Sequence, residues 1–216
     1  MKDAPEGHRP TDLLPNARSV IVLAKHLIDS HIERLSAENP TLRRYARMVY
    51  TAFCFDGTNA TLFRMAHEGS ILLERRGYYA FPIHPTYPYD PEKFFGVFSH
   101  RHAAVAAGLG QFGKSGVVLT PQYGPRQRFI SILSTASLVP DPPLAERLCT
   151  DCGECIKSCP VHAFDPTYDF IEEKGRFYKP LCAHYNRWDP KTQRCSYICG
   201  LCLATCPIGK ESANLT

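Results

Sequence analysis

Cys149-Thr-Asp-Cys152-Gly-Glu-Cys155-Ile-Lys-Ser-Cys159-Pro160 is the stretch on which the reading of this chain turns. Three cysteines, each two residues from the next, are followed after three more residues by a fourth and a proline. That is the spacing of bacterial ferredoxins. Three thiolates on a tight, turn-rich loop wrap one [4Fe-4S] cubane, and the fourth, followed by a helix-breaking proline, points to a second. The pattern therefore demands a partner motif, and Cys199-Gly-Leu-Cys202-Leu-Ala-Thr-Cys206-Pro207 supplies it. Reciprocal ligation gives one cluster to Cys149, Cys152, Cys155 and Cys206. A second takes Cys159, Cys199, Cys202 and one cysteine more. Two residues compete for that place: Cys182, in Leu-Cys-Ala-His-Tyr, and Cys195, four residues before Cys199. Zinc sites place cysteines in separated pairs rather than in a run closed by Cys-Pro, so two iron–sulfur clusters are the expected occupants.

Composition agrees with a metal role for the cysteines. Nine of the ten lie in the last third of the 216 residues. Hydrophobic residues at 44% and charged residues at 21% are ordinary globular usage and exclude a disordered or fibrous chain. Lys+Arg exceed Asp+Glu by 25 − 21 = +4, too little to argue for nucleic acid as a partner. The opening MKDAPEGHRP has no apolar signal segment and no twin arginine, and the longest aliphatic run, Val20 to Ala24, is too short to span a bilayer. The expectation is a cytoplasmic protein without a membrane association. Cys54, between Phe53 and Phe55, reads as an inert core thiol.

The proline-rich Val139-Pro-Asp-Pro-Pro143 divides the chain into residues 1–140 and 141–216. In the first part Ser19 to Ala24 reads as a buried strand, because it is apolar without alternation. Leu42 to Phe53 places Tyr45, Met48, Val49, Ala52 and Phe53 at helical spacing. A second helix is expected over Ala60 to Arg76, stopped by Gly77. Tyr78 to Ile83, Val117 to Thr120 and Phe129 to Thr135 read as strands, and His102 to Ala107 as an alanine-rich helix. His84 to Pro91 is expected to be irregular, since prolines remove donors at three positions. The class is α+β, with a small two-cluster domain after a larger sheet-and-helix domain.

Gly108-Leu-Gly-Gln-Phe-Gly-Lys-Ser115 matches both a phosphate-loop and a dinucleotide-loop pattern. Both need a strand before and a helix after, and here the order is reversed. Gly108, Gly110 and Gly113 still allow close backbone approach to a cofactor, and Lys114 offers a point charge for a phosphate. A helix C-cap followed by a turn fits the same residues.

Taken together, Leu13-Leu-Pro-Asn-Ala-Arg-Ser-Val-Ile-Val22, His102 to Lys114, Leu119-Thr-Pro-Gln-Tyr-Gly124 and the double cysteine motif resemble the epoxyqueuosine reductases and, more distantly, the reductive dehalogenases. The resemblance covers most of the chain in order. It implies a corrinoid-binding domain of nitroreductase-like fold before a two-cluster ferredoxin module. It also implies Cys182 as the last ligand, because both families use a lone upstream cysteine followed by an aromatic residue. Relatives carry a segment ahead of the first strand and a C-terminal tRNA-associated repeat region that have no counterpart here. Their Asp-Thr-Gly run, whose aspartate is the proposed proton donor, corresponds to Phe94 to His100, which holds no carboxylate.

A reductive step at a corrinoid or flavin needs a proton donor. The candidates are Tyr87, Tyr89 and Asp90 in the proline-rich loop, with His100 and His102. His100 and His102 do not form a metal pair, since residues two apart on a helix point to different sides. Three readings follow. The first is a corrinoid-dependent iron–sulfur reductase using two [4Fe-4S] clusters and cobalamin. The second is an electron-transfer or activator protein serving a corrinoid or flavin partner protein. The third is an FMN-binding iron–sulfur reductase, with the flavin at a homodimer interface. Each implies a low-potential donor such as a ferredoxin or flavodoxin. Arg43, Arg44 and Arg47 read as a solvated helix face, or as a contact for an acidic partner or a cofactor phosphate.

Overall fold

The computed structural model describes residues 4–86, 89–90, 94–189, 194–195 and 197–210, with the side chains of residues 89, 188–189 and 194–195 outside that description. In chain order its elements are α1 (Pro10–Leu13), β1 (Ser19–His26), α2 (Asp29–Glu33), α3 (Pro40–Val49), α4 (Thr58–Glu74), β2 (Ala80–Ile83), β3 (Tyr89–Asp90), β4 (Phe95–Gly96), α5 (His100–Ala106), β5 (Gln111–Phe112), β6 (Val118–Leu119), β7 (Gln127–Ser134), α6 (Glu154–Lys157), α7 (Lys179–Tyr185), β8 (Trp188–Asp189), β9 (Arg194–Cys195) and α8 (Leu201–Ala204). A short 3-10 helix, Arg34–Ser36, follows α2, and a π-helix, Tyr50–Gly57, continues α3. Contacts group these into two compact units. The first holds residues 1–25, 59–110 and 128–145; the second holds 26–58, 111–127 and 146–216. The proline-rich residues 139–143 lie within the first unit's last segment, 128–145, and packing draws residues 26–58 and 111–127 in with the cysteine-rich stretch.

The first unit is built on a sheet of strand order β1-β7-β2. β7 is central and buried along nearly its whole length, so its sequence runs apolar on both faces. Side chains alternate across a strand, and Ile130 and Ile132 meet Leu62 and Ala66 of α4 on one face. Leu133 turns the other way, to Ile83, Phe98 and Ala103. Ser19 to Ala24, read as a buried strand, falls in β1, an edge strand that is only half-buried. α4 ends on Gly77 in the left-handed region at φ 82°, where the Tyr78 N–H reaches back to the Leu73 carbonyl at 3.2 Å. Part of the proline-rich loop is regular after all: Tyr89 and Asp90 pair with Gly96 and Phe95 in a two-residue ladder.

In the second unit, α3 starts on an Asn39 cap that accepts from the Thr41 and Leu42 N–H groups at 2.9 and 3.1 Å. The apolar face read from sequence is not the buried one. Tyr45, Met48 and Phe53 are 63%, 53% and 59% exposed, while Ala46, Arg47, Tyr50 and Cys54 are buried. Ala46 packs with Leu27 and Leu35, and Arg47 lies against the Tyr185 and Tyr197 rings, so that side of α3 is the covered one; the π geometry after Val49 shifts the phase only of later residues such as Phe53. Ala46, Tyr50 and Cys54 join Leu27, Ile32, Leu35 and Ala204 in one core cluster, with Ile198, Leu201 and Leu203 against it. Residues 26–58 thus supply most of the apolar surface on which the second cysteine turn rests.

Elsewhere in this unit two backbones pass so closely that only glycine fits. A Cβ on Gly124 (φ +52°) would overlap the Ile208 carbonyl, and one on Gly209 (φ +75°) would overlap the Gly124 amide. Nothing flexible can yield there. Gly77, by contrast, has open space around its Cα, so a substitution meets only left-handed strain of about 1–2 kcal/mol. Gly77→Ala is expected to lower the melting temperature by a few degrees, and Gly124→Ala by about 10 °C or more, read by thermal unfolding of the two variants. Equal losses would refute the packing argument.

Candidate metal centre

The two cysteine motifs fold into near-identical turns. Cys152 and Cys199 each precede a glycine in the left-handed region, Gly153 (φ 74°, ψ 0°) and Gly200 (φ 69°, ψ 2°). Each glycine leads into a four-residue helix, α6 or α8, and its carbonyl accepts the first helical N–H groups at 3.0–3.1 Å. Ser158 and Thr205, which precede the two Cys-Pro pairs, are bonded to each other at 3.1 Å. At Gly200 the need for glycine is doubled, because a Cβ would also meet Leu35 at 2.7 Å and Tyr50 at 3.2 Å.

The thiols fall into two neighbourhoods. Burial pushes the Cys155 thiol up, and Cys149 and Cys152 beside it push further, while a Ser115 hydroxyl bond works the other way. Cys206 is likewise raised by burial and by Cys155 and Cys152. In the other group, burial raises Cys202 strongly, and Cys199, Cys182, Cys155 and Cys159 add to it. Cys199 is raised by burial with Cys159 nearby. The structure therefore brings Cys155 near Cys149 and Cys152, Cys206 near Cys155 and Cys152, Cys199 near Cys159, and Cys202 near Cys199, Cys182, Cys155 and Cys159. The Cys195 backbone lies on β9. Such donor sets fit a polynuclear cation: crowded, part-buried thiols become thiolates only when a positive core compensates them. Among the described residues no three His, Cys, Asp or Glu side chains converge on a single ion. A cubane is several atoms across, and its ligands do not need to converge on one point.

Polar groups around the sulfurs fix their directions. Asn186 donates from Nδ2 to Cys182 Sγ at 3.4 Å, while its Oδ1 accepts from the Cys199 N–H at 2.7 Å. The Ala163 N–H donates to Cys159 Sγ at 3.3 Å. Arg126, whose side chain is 3% exposed, donates to the carbonyls of Cys206 at 3.1 Å and Ile208 at 3.5 Å, with Asp29 at 3.8 Å from its Nε. Hydrogen bonds of this kind orient ligands and tune a bound cluster. Neither Asn186 nor Arg126 was marked by the sequence, since nothing local distinguishes them.

The glycine run proves to be two structures. Gly108 (φ 72°) closes α5, and a Cβ there would overlap the Pro142 carbonyl. Gly113 sits in the turn region of the β5–β6 hairpin, where a Cβ would press on Leu119 at 3.0 Å. Gly108 and Gly110 belong to the first unit, Gly113 and Lys114 to the second. The close approach the glycines permit at Gly108 and Gly113 is made by the protein itself. Lys114 is paired with Asp151 at 2.6 Å and Asp169 at 3.2 Å, the former hydrogen bond raising its pKa. Burial pulls Asp169 up, but the Glu172 and Ile171 N–H groups and Lys114 outweigh it and hold the carboxyl low. Lys114 thus ties the hairpin to Asp151, which occupies the left-handed region (φ 57°) beside Cys152.

Of the proton-donor candidates, Tyr87 lies outside the described residues, and Tyr89 and Asp90 lie on β3. His102 receives Ser99 at 2.6 Å at the start of α5. His100 is buried, with Nδ1 at 2.9 Å from Ser131 Oγ and Nε2 at 3.0 Å from the His84 carbonyl. A carbonyl only accepts, so Nε2 carries the proton and Nδ1 accepts from Ser131. Burial, with Arg128 and His84 nearby, lowers the His100 pKa to about 4 against the partial opposition of that carbonyl. At neutral pH it is a neutral residue with both nitrogens engaged inside the fold.

Residues 148–209 match the 4Fe-4S double cluster binding domain. The chain is 30% identical over 148 residues to the tetrachloroethene reductive dehalogenase of Sulfurospirillum multivorans, a match covering 62% of this chain and 26% of that protein. A solved epoxyqueuosine reductase superposes with a TM-score of 0.64 at 20% identity, over 96% of this chain and 53% of that one. A solved reductive dehalogenase, described as suggesting a mechanism for B12-dependent dehalogenation, superposes at 0.53 with 18% identity, over 88% of this chain and 25% of that one. The chain spans about a quarter to a half of the proteins it matches, and it is similar to members of both groups. Among the described residues no helix is long and apolar enough to cross a membrane.

The buried imidazole of His100 carries a pH signature. Its folded pKa, about 4, lies below the unfolded value of about 6.5, so the unfolded chain binds the extra proton. The stability it contributes is complete above pH 6.5 and is lost as pH falls toward 4. Between pH 7.5 and 5.5 the wild type is expected to lose about 1 kcal/mol more than His100→Gln in denaturant unfolding. Identical losses would show that His100 is not held neutral.

Proposed function

We propose that the chain is the electron-conducting part of an iron–sulfur reductase, holding two [4Fe-4S] clusters and delivering single electrons to a corrinoid reaction centre. One observation carries this reading: eight described cysteines lie as near neighbours within the stretch that matches a double cluster domain. Cys149, Cys152, Cys155 and Cys206 would hold one cluster, and Cys159, Cys182, Cys199 and Cys202 the other. When bound, the clusters supply reversible one-electron transfer at low potential. The chain's own residues do the remaining work. The paired glycine turns aim the thiolates, Asn186 holds Cys182 and Cys199 in register, Arg126 fixes the Cys206 backbone, and Lys114 restrains the loop at Asp151.

The corrinoid rests on relationship alone. Relatives are named tetrachloroethene reductive dehalogenase, and one solved neighbour is described in terms of B12-dependent dehalogenation. Reading the first unit as a nitroreductase-like cofactor domain has the same support. Gly108, Gly113 and Lys114 do not fit a cofactor, because each is occupied within the fold, so a corrinoid would be held by other residues or by a partner protein. Neither the compared proteins nor the geometry favours FMN.

Anaerobic reconstitution with iron and sulfide is expected to give about eight iron per chain. Cys182→Ser is expected to retain about four, with loss of one cluster's signal on reduction, and Cys195→Ser to retain about eight. The reverse pattern would make Cys195 the ligand. Gel filtration of the reconstituted protein with cobalamin separates the remaining alternatives. Stoichiometric co-elution places the corrinoid on this chain, and its loss makes the chain an electron carrier for another protein's corrinoid.

A further inference from the structure

Arg47, His184, Tyr185, Arg187 and Tyr197 line a cleft of about 570 Å³ that opens broadly to solvent. None of the five is a carboxylate. Arg47 lies at its floor, 9% exposed, with its guanidinium stacked 4.4 Å from the Tyr185 ring and 4.6 Å from the Tyr197 ring. One of its terminal nitrogens donates to the carbonyls of both tyrosines, at 3.2 and 3.0 Å, while its Nε has no hydrogen-bond partner among the described residues. Arg187 stands exposed at the rim, held in the left-handed region at φ 51°, with its guanidinium 5.3 Å over the Tyr197 ring. Tyr45 and Met48, on the helix that carries Arg47, are exposed apolar side chains.

The walls of this cleft are chain neighbours of two cysteines. His184 follows Cys182 by two residues on α7, and Tyr197 precedes Cys199 by two. Asn186 joins the sides, bonding Cys182 Sγ and the Cys199 N–H while its carbonyl accepts from the Tyr197 N–H at 3.3 Å. We infer that this cleft is the port where an acidic one-electron carrier protein docks and passes its electron to the cluster held by Cys182 and Cys199. The inference rests on the two-cluster reading above. Cationic, aromatic walls, without a carboxylate among the described residues, steer a protein of opposite charge. A small organic ligand would want an enclosed and mostly apolar pocket instead. In the step itself the carrier loses one electron, the cluster gains one, and no bond forms or breaks.

The test uses the reconstituted protein under anaerobic stopped flow, with a reduced acidic ferredoxin as the probe and dithionite as a small reductant. Bleaching of the iron–sulfur absorbance reports the rate. The ferredoxin rate is expected to fall steeply with ionic strength, to drop roughly tenfold or more in Arg187→Glu at low salt, and to stay within roughly threefold in Arg187→Lys. Dithionite is expected to reduce all three proteins alike, which shows the clusters intact in each variant. A ferredoxin rate indifferent to salt and to Arg187→Glu, with dithionite reduction normal, overturns the docking inference and leaves the two-cluster reading standing. Failure of the wild type to hold reducible clusters overturns both.

Discussion

Eight thiols packed around two short turns cannot all ionise without a compensating charge, and the second unit is arranged around that constraint. Each turn needs a left-handed glycine directly after a cysteine to bring the next thiol round to the same side. The turns are then joined through Ser158 and Thr205 at 3.1 Å, so that a thiol of one lies near those of the other. Removing either glycine's freedom would swing a cysteine away from its neighbours. The remaining polar contacts serve the same need: Arg126, Asn186 and Lys114 each pin a backbone or side chain next to a cysteine.

Relationship and geometry bear on different links of the argument. The match to a double cluster domain covers residues 148–209, and the superpositions at about 20% identity speak to fold. Neither fixes which sulfur belongs with which. The grouping proposed above draws on proximity in the folded chain, where Cys206 lies near Cys152 and Cys155, and Cys202 near Cys182 and Cys199. The substrate of a reductase depends on the pocket around its reaction centre, and relatives of 27–30% identity that are named for different substrates carry no choice between them.

Legibility in the sequence followed the range of the forces involved. The cysteine spacing was readable because ligand geometry is imposed over a few residues. The central strand β7 and helix α4 were readable because burial imposes a period, and Gly77 because a left-handed stop is local. The face of α3 was not, because the side it buries is set by Leu27, Leu35 and the rings of Tyr185 and Tyr197, partners outside the helix. Arg47 shows the cost of reading a cation as solvent-facing: the two tyrosine rings that cover it lie 138 and 150 residues away along the chain. The Gly-Lys-Ser run misled in the same way. Lys114 meets carboxylates 37 and 55 residues further on, and only the folded chain shows that they fill the place a phosphate would take.

The cysteine-rich stretch also depends on residues far from it. Residues 148–209 contribute few buried apolar side chains of their own, Leu148, Ala163, Tyr168 and Ala204 among the described ones. The cluster that supports the second turn is made chiefly by Leu27, Ile32, Leu35, Ala46, Tyr50 and Cys54. Gly200 has its need for glycine from the same source, because Leu35 and Tyr50 stand where a side chain would go. A module this small rarely buries enough apolar surface to hold itself together without metal or a neighbour. Here residues 26–58 are that neighbour, and Cys54, too deeply buried to react, serves there as one more apolar contact beneath the second cysteine turn.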